Sequence, residues 1–144
     1  MIPDPEDTIV ALASAPGPGV RGIIRLSGPG VRKVIGSVLV EAPDLTVGRR
    51  SLTHGSVQIP GLGSPLPVAL LFAPAPRTYT GQDTAELHPI SSPPLLDALI
   101  SALLNAGARA AQPGEFTLRA FLAGKKDLPQ AEAVLAVIEA GSPD

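Results

Sequence analysis

Two polar segments hold most of the residues in this chain that could do chemistry. One runs Arg77-Thr78-Tyr79-Thr80-Gly81-Gln82-Asp83-Thr84-Ala85-Glu86, a polar loop that enters a strand-like stretch. The other is Gln112-Pro113-Gly114-Glu115-Phe116-Thr117-Leu118-Arg119-Ala120-Phe121-Leu122-Ala123-Gly124-Lys125. In the second, Glu115 and Arg119 stand four apart, on one face of a helix. Spacing alone reads them as an exposed ion pair of about 0.3–0.5 kcal/mol, with Phe116 and Phe121 in the core. The other reading, a functional pair, stays open at this point.

Several chemistries are missing from the sequence. There is no Gly-x-x-x-x-Gly-Lys-Ser/Thr phosphate loop, and Gly28-Pro29-Gly30 lacks the third glycine of a dinucleotide fingerprint. There is no His-Glu-x-x-His and no serine nucleophile elbow. His54 and His88 lie far apart, each in a strand-like stretch, and read as structural or solvent-facing rather than catalytic or metal-binding. The chain has no cysteine, which removes disulfides, thiolate metal sites and a cysteine nucleophile.

Composition limits the elements that must position these residues. A chain of 144 residues can build one core, and 44% hydrophobic against 17% charged residues is the reverse of a disordered composition. The 17 prolines and 15 glycines therefore read as punctuation. A net charge of -2 with three Phe, one Tyr and no Trp makes a poor free-standing nucleic-acid binder. The acidic, proline-containing start does not read as a signal peptide, and the longest apolar run, Pro67 to Pro76, is broken by prolines. The expectation is a soluble cytoplasmic protein.

Periodicity places strands at Thr8–Ser14, Gly22–Ser27, Ser51–Ile59, Val68–Phe72 and Asp83–His88. It places helices at Val31–Val40, Pro94–Ala106, Pro113–Gly124 and Pro129–Ala140. Residues 41 to 50 read as a connection and Gly61 to Pro65 as a turn. The class is α+β, a mixed sheet of about five strands with about four helices.

The same two segments carry a family resemblance. The match runs through Asp7-Thr8-Ile9-Val10-Ala11, Gly22-Ile23-Ile24-Arg25-Leu26-Ser27-Gly28, Tyr79-Thr80-Gly81, Asp83 and Glu86. It is strongest at Gly107-Ala108-Arg109, Pro113-Gly114-Glu115-Phe116-Thr117, Arg119-Ala120-Phe121-Leu122, Gly124-Lys125, Asp127-Leu128 and Gln130-Ala131-Glu132-Ala133-Val134. These residues resemble the N-terminal domain of the MnmE (TrmE) family, GTPases that modify the wobble uridine of certain tRNAs. The resemblance implies the folate-binding fold shared with glycine-cleavage T-protein, over residues 1–125, with a helical region beginning at 126–144. It further implies a homodimer, a tetrahydrofolate derivative (5-formyltetrahydrofolate) as one-carbon donor, and an MnmG-like partner met through the full-length protein. GTP hydrolysis and tRNA contact belong to other domains, and no metal is expected.

Within that resemblance, Glu86 would accept from the N–H donors of the pteridine. Arg25 would meet the anionic glutamyl tail, and Tyr79 would pack on or hydrogen-bond a ring. Arg119 and Lys125 complete the candidate cofactor-binding set, and no catalytic residue is assigned. The chain departs from the family pattern at Gly17-Pro18-Gly19-Val20, Leu66-Pro67, Gln82 and Ile90-Ser91-Ser92, where the family carries His-Gly-Gly. The last change removes glycines from a loop expected near the pocket. The alternative to the folate reading is therefore a divergent stand-alone relative acting as a dimeric interaction module. A small one-carbon transferase of the T-protein type is a weaker third reading.

Overall fold

A computed structural model of the chain describes residues 3–13, 21–41, 44–45, 48–124, 132, 133, 136 and 138. Within them the elements run β1 (Ile9–Leu12), β2 (Ile24–Ser27), α1 (Val31–Val38), β3 (Ser51–Val57) and β4 (Leu66–Ala73). They continue with β5 (Thr84–His88), α2 (Pro93–Asn105), β6 (Arg109–Ala110) and α3 (Glu115–Leu122). The α+β class holds, with a six-stranded mixed sheet and three described helices. Most of the expected helix at Pro129–Ala140 lies outside the described residues, as does the cluster Pro16-Gly17-Pro18-Gly19.

The sheet order is β3-β4-β5-β2-β1-β6, antiparallel throughout except for β6, which runs parallel to β1. β6 is the strand the sequence does not reveal. Two residues are too short for a period-2 pattern, and the strand exists because α2 returns the chain alongside Ile9 and Val10.

Alternation divides the sheet into two unlike faces. On the first, Val10, Ile24, Leu26, Leu70, Phe72 and Leu87 join one core with Val31, Val34, Ile35 and Val38 of α1 and Leu96, Leu99 and Leu103 of α2. The i, i+3, i+4, i+7 spacing of the α1 residues is what turns that stripe inward. α1 stops two residues earlier than periodicity predicts because Leu39 is already extended and bridges to Val57. Val40 N then donates to the Ser56 carbonyl and Gln58 N to the Val38 carbonyl, so this stretch lies along the outer edge of β3. Pro67 is tolerated because it sits beyond the β4–β5 ladder, whose register begins at Ala69.

The second face carries Leu52, Leu71, Glu86 and Arg25 in adjacent register across β3, β4, β5 and β2. α3 lies at one end of this face. There Arg119 donates to the Ser27 carbonyl, Glu115 accepts from Arg109, and Ile9 is fully buried. The rest of the face is open, with Leu52 59% exposed.

Gly81 decides how closely α3 meets the loop before β5. Its φ is +76°, and a Cβ there would fall 2.8 Å from Ala123 Cβ, at the C-terminal end of α3. Gly81→Ala should therefore cost about 1–2 kcal/mol for the left-handed backbone, with a steric share in addition. Urea denaturation checks this, and Gly81→Ala/Ala123→Gly should recover only the steric share. Full recovery would show that the backbone conformation is not a constraint.

Candidate ligand-binding groove

The register of β2 against β5 sets Arg25 opposite Glu86. Arg25 Nε and Nη2 each lie 2.9 Å from Glu86 Oε2. On the other carboxylate oxygen, His88 Nε2 stands 2.9 Å from Oε1. A carboxylate only accepts, so Nε2 is the protonated nitrogen in this contact. Burial raises the Glu86 carboxyl, but the hydrogen bonds from His88 and Arg25 outweigh it. The group is held below the ordinary glutamate value.

Around this pair the second face forms a groove. One part, of about 300 Å³, is lined by Arg25, Glu86, Thr84, Tyr79, Arg50 and Phe116, among others. A neighbouring part of about 430 Å³ shares Arg50, Ala73, Thr84 and Glu86, and extends over Leu52 and Leu71. The volumes fall in the range of small-molecule sites, and the lining has the usual form of apolar walls with a few polar groups. Tyr79 is 48% exposed, and its hydroxyl lies 3.5 Å from Thr117 Oγ1 on α3.

The Tyr79 loop is shaped by its own polar residues. Asp83 accepts from Ala75 N at 2.8 Å and from Arg32 Nε at 3.1 Å. Thr78 Oγ1 donates to the Gln82 carbonyl, and Ser27 Oγ pairs with Thr80 Oγ1 at 2.8 Å. Gln82 Oε1 accepts from Ser27 Oγ and Arg119 Nη1, while its Nε2 donates to the Pro5 carbonyl at 2.6 Å. A glutamate could not make that last bond, so the family departure at Gln82 ties the N-terminal segment to the loop.

The structure describes four of the five sequence-derived candidates, in two environments. Arg25, Tyr79 and Glu86 converge on the groove. Lys125 lies outside the described residues. Arg119 is not among the groove-lining residues; it is 2% exposed and its Nη1 and Nη2 donate to Gln82, Asp4, Ser27 and Glu115. The expected exposed pair is thus a buried one, since Glu115 is 1% exposed. Glu115 also takes a bidentate pair from Arg109 at 2.8 and 3.0 Å, and Arg109 reaches Asp7 at 2.9 Å. Burial raises the Glu115 carboxyl, but the Arg109 hydrogen bonds, the Gln112 amide and the Arg119 charge together pull it below its ordinary value. Phe116 and Phe121, expected in the core, are half-buried, because α3 turns its charged pair and Leu118 inward instead.

Two further placements bear on these expectations. Arg25 and Glu86 share one ion pair, so the two stand at one place in the groove rather than at two separated points. The Ile90-Ser91-Ser92 segment does not line the groove. Ile90 borders a separate depression with Arg21, His54 and Pro67, and Ser92 leads into α2. His54 is exposed, as expected. Among the described residues no cluster of His, Cys, Asp or Glu could hold a metal ion, and no helix is long and apolar enough to cross a membrane. Sequence reasoning missed Arg50, Thr84 and Phe116. Period-2 alternation from Glu86 signals Thr84, but nothing local signals Arg50, which meets the groove only through the β3–β4 register.

A family model described as GTP-binding protein TrmE N-terminus matches residues 8–125. The chain belongs to this family. It is similar to tRNA modification GTPase MnmE of Rhodopirellula baltica, at 50% identity over 97% of the chain and 30% of that relative. The MnmE proteins of Thermus thermophilus (44% identity; 94% of the chain, 32% of the relative) and Stutzerimonas stutzeri (43%; 99% and 30%) match likewise. The chain thus spans about 30% of the length of the curated relatives it matches. Residues 8–125 of the TrmE N-terminal match include every strand and helix described above.

Glu115→Gln leaves two arginines against an uncharged group and should cost about 3–5 kcal/mol at neutral pH. The folded carboxyl titrates below the unfolded value of about 4.3. Its stabilisation is therefore complete above that value and is lost as pH falls through the lower folded one. Urea midpoints measured from pH 7 down to pH 3 should show the wild type and Glu115→Gln converging. A gap that stays constant over that range would overturn this reading of the pair.

Proposed function

We propose that the chain is the folate-binding and homodimerising N-terminal part of a tRNA-modification GTPase, taking 5-formyltetrahydrofolate as one-carbon donor for wobble-uridine modification. The observation that carries this is the convergence of Arg25, Glu86 and Tyr79, three residues far apart in sequence, on one groove. The residues present suit a reduced folate. Glu86, held ionised, accepts from the pteridine N–H groups, and Arg25 fixes that carboxylate while offering donors to ring acceptors. Tyr79 and Phe116 supply aromatic walls. When bound, the folate supplies the one-carbon unit; the protein's part here is to hold and orient it.

GTP hydrolysis, tRNA contact and any MnmG-like partner belong on this reading to other parts of such a protein, which works in the cytoplasm. The exposed Leu52 and Leu71, paired across β3 and β4 beside the groove, support a second copy covering this face. The dimer would then close over the ligand rather than away from it.

Calorimetric titration with 5-formyltetrahydrofolate should give saturable binding, weakened about tenfold or more in Glu86→Gln by loss of a charge-assisted contact. Sedimentation should show a dimer at micromolar concentration. A dimer that gives no binding heat at millimolar folate would favour the interaction module over the folate reading.

A further inference from the structure

The Arg25–Glu86 ion pair leaves the anionic end of a folate without its expected cation. Both side chains serve one end of the ligand, so the glutamyl carboxylates must find positive charge elsewhere. Arg50 stands at the position where the groove continues. It lines both parts of the groove and also a further cavity of about 530 Å³, whose walls are Arg49, Arg50, Arg77, Gly48 and the turn Pro74–Pro76. Among the described residues no acidic side chain lines that cavity.

Four of the other described arginines are held by carboxylates, and Arg21 by a backbone carbonyl. Arg25 pairs with Glu86, Arg32 with Asp83, Arg109 with Asp7 and Glu115, and Arg119 with Glu115, while Arg21 donates to the His88 carbonyl. Arg49, Arg50 and Arg77 have no ion pair with any described carboxylate. Arg50 Nη2 meets only the Arg77 carbonyl, at 3.5 Å. Three like charges around one cavity repel each other until an anion enters, and guanidinium forks match carboxylates bidentately.

We propose that Arg49, Arg50 and Arg77 form the subsite for the glutamyl tail of the folate, and that Arg49 and Arg77 reward a longer poly-γ-glutamyl chain. The proposal rests on the folate reading above. Each γ-linked glutamate adds one negative charge, so a longer tail brings more carboxylates to the same arginines. Arg50, nearest the ring end, takes the first glutamate, and the other two meet those that follow. The shared anionic chemistry also describes a phosphodiester backbone. A slightly acidic chain with one compact basic cavity, rather than a basic stripe, favours the short carboxylate tail.

The test titrates the protein with the mono- and triglutamate forms of 5-formyltetrahydrofolate at low and at moderate salt. The triglutamate should bind about tenfold tighter at low salt, from two added exposed pairs, and the advantage should shrink as salt screens them. In Arg49→Ala/Arg77→Ala the ratio of the two affinities should fall below about twofold. All the substituted side chains are exposed, so the fold is not at risk. Equal affinities for the two forms in the wild type would overturn the tail subsite and leave folate binding intact. No binding of either form would overturn the folate reading and this inference with it. An RNA oligonucleotide bound by the wild type and lost in the double variant, with the two folates bound equally, would assign the arginines to phosphate instead.

Discussion

The buried carboxylate of Glu115 is the constraint on which the second half of the structure depends. A charge this far from water is tolerated only with partners that meet it fully, and Arg109 and Arg119 do so from two different elements. Through Arg109 it fixes the short parallel strand against β1, and Arg109 carries the link to Asp7. Through Arg119 it reaches Gln82 and the carbonyls of Ser27 and Asp4. Four stretches distant in sequence are thereby held at one end of the sheet. One of them is the loop that presents Tyr79. The groove owes its shape to a charge pair that takes no part in lining it.

Much of the fold could be read in the sequence for a physical reason. The apolar stripes of α1 and α2 and the runs of β4 and β2 pack one face of one sheet, so local periodicity and tertiary burial agree. α3 is where they disagree. Its four-residue Glu–Arg spacing is the same for a solvated pair and a buried one, because spacing fixes which face two residues share and not what covers that face. The aromatic content misled in the same way: with a charged cluster to satisfy, α3 gives its inner positions to Glu115 and Arg119 and leaves Phe116 half-exposed at the groove. Strand register is the other gap. Arg25 against Glu86 is a fact of pairing between strands, and Arg50 reaches the groove because it precedes a β3 paired with β4; no local pattern encodes either.

The family match and the groove bear on different levels of function. Residues 8–125 are those of the TrmE N-terminus, and that relationship accounts for the scaffold. The chain's own departures alter how the scaffold is braced more than what it presents. Gln82 keeps its acceptor for Arg119 and gains a donor for Pro5, and the Ile90–Ser92 segment sits away from the groove.

The stretch after α1 that runs beside the end of β3 has a consequence for assembly. Backbone groups at Ser56 and Gln58, which would otherwise face outward from the sheet, are already bonded to Val38 and Val40. At the opposite margin β6 offers only two residues. Neither margin presents a full-length bare template on which a neighbouring molecule could continue the ladder, which guards the fold against runaway strand addition. For the dimer proposed above, this leaves the open face, where contact would be made by side chains.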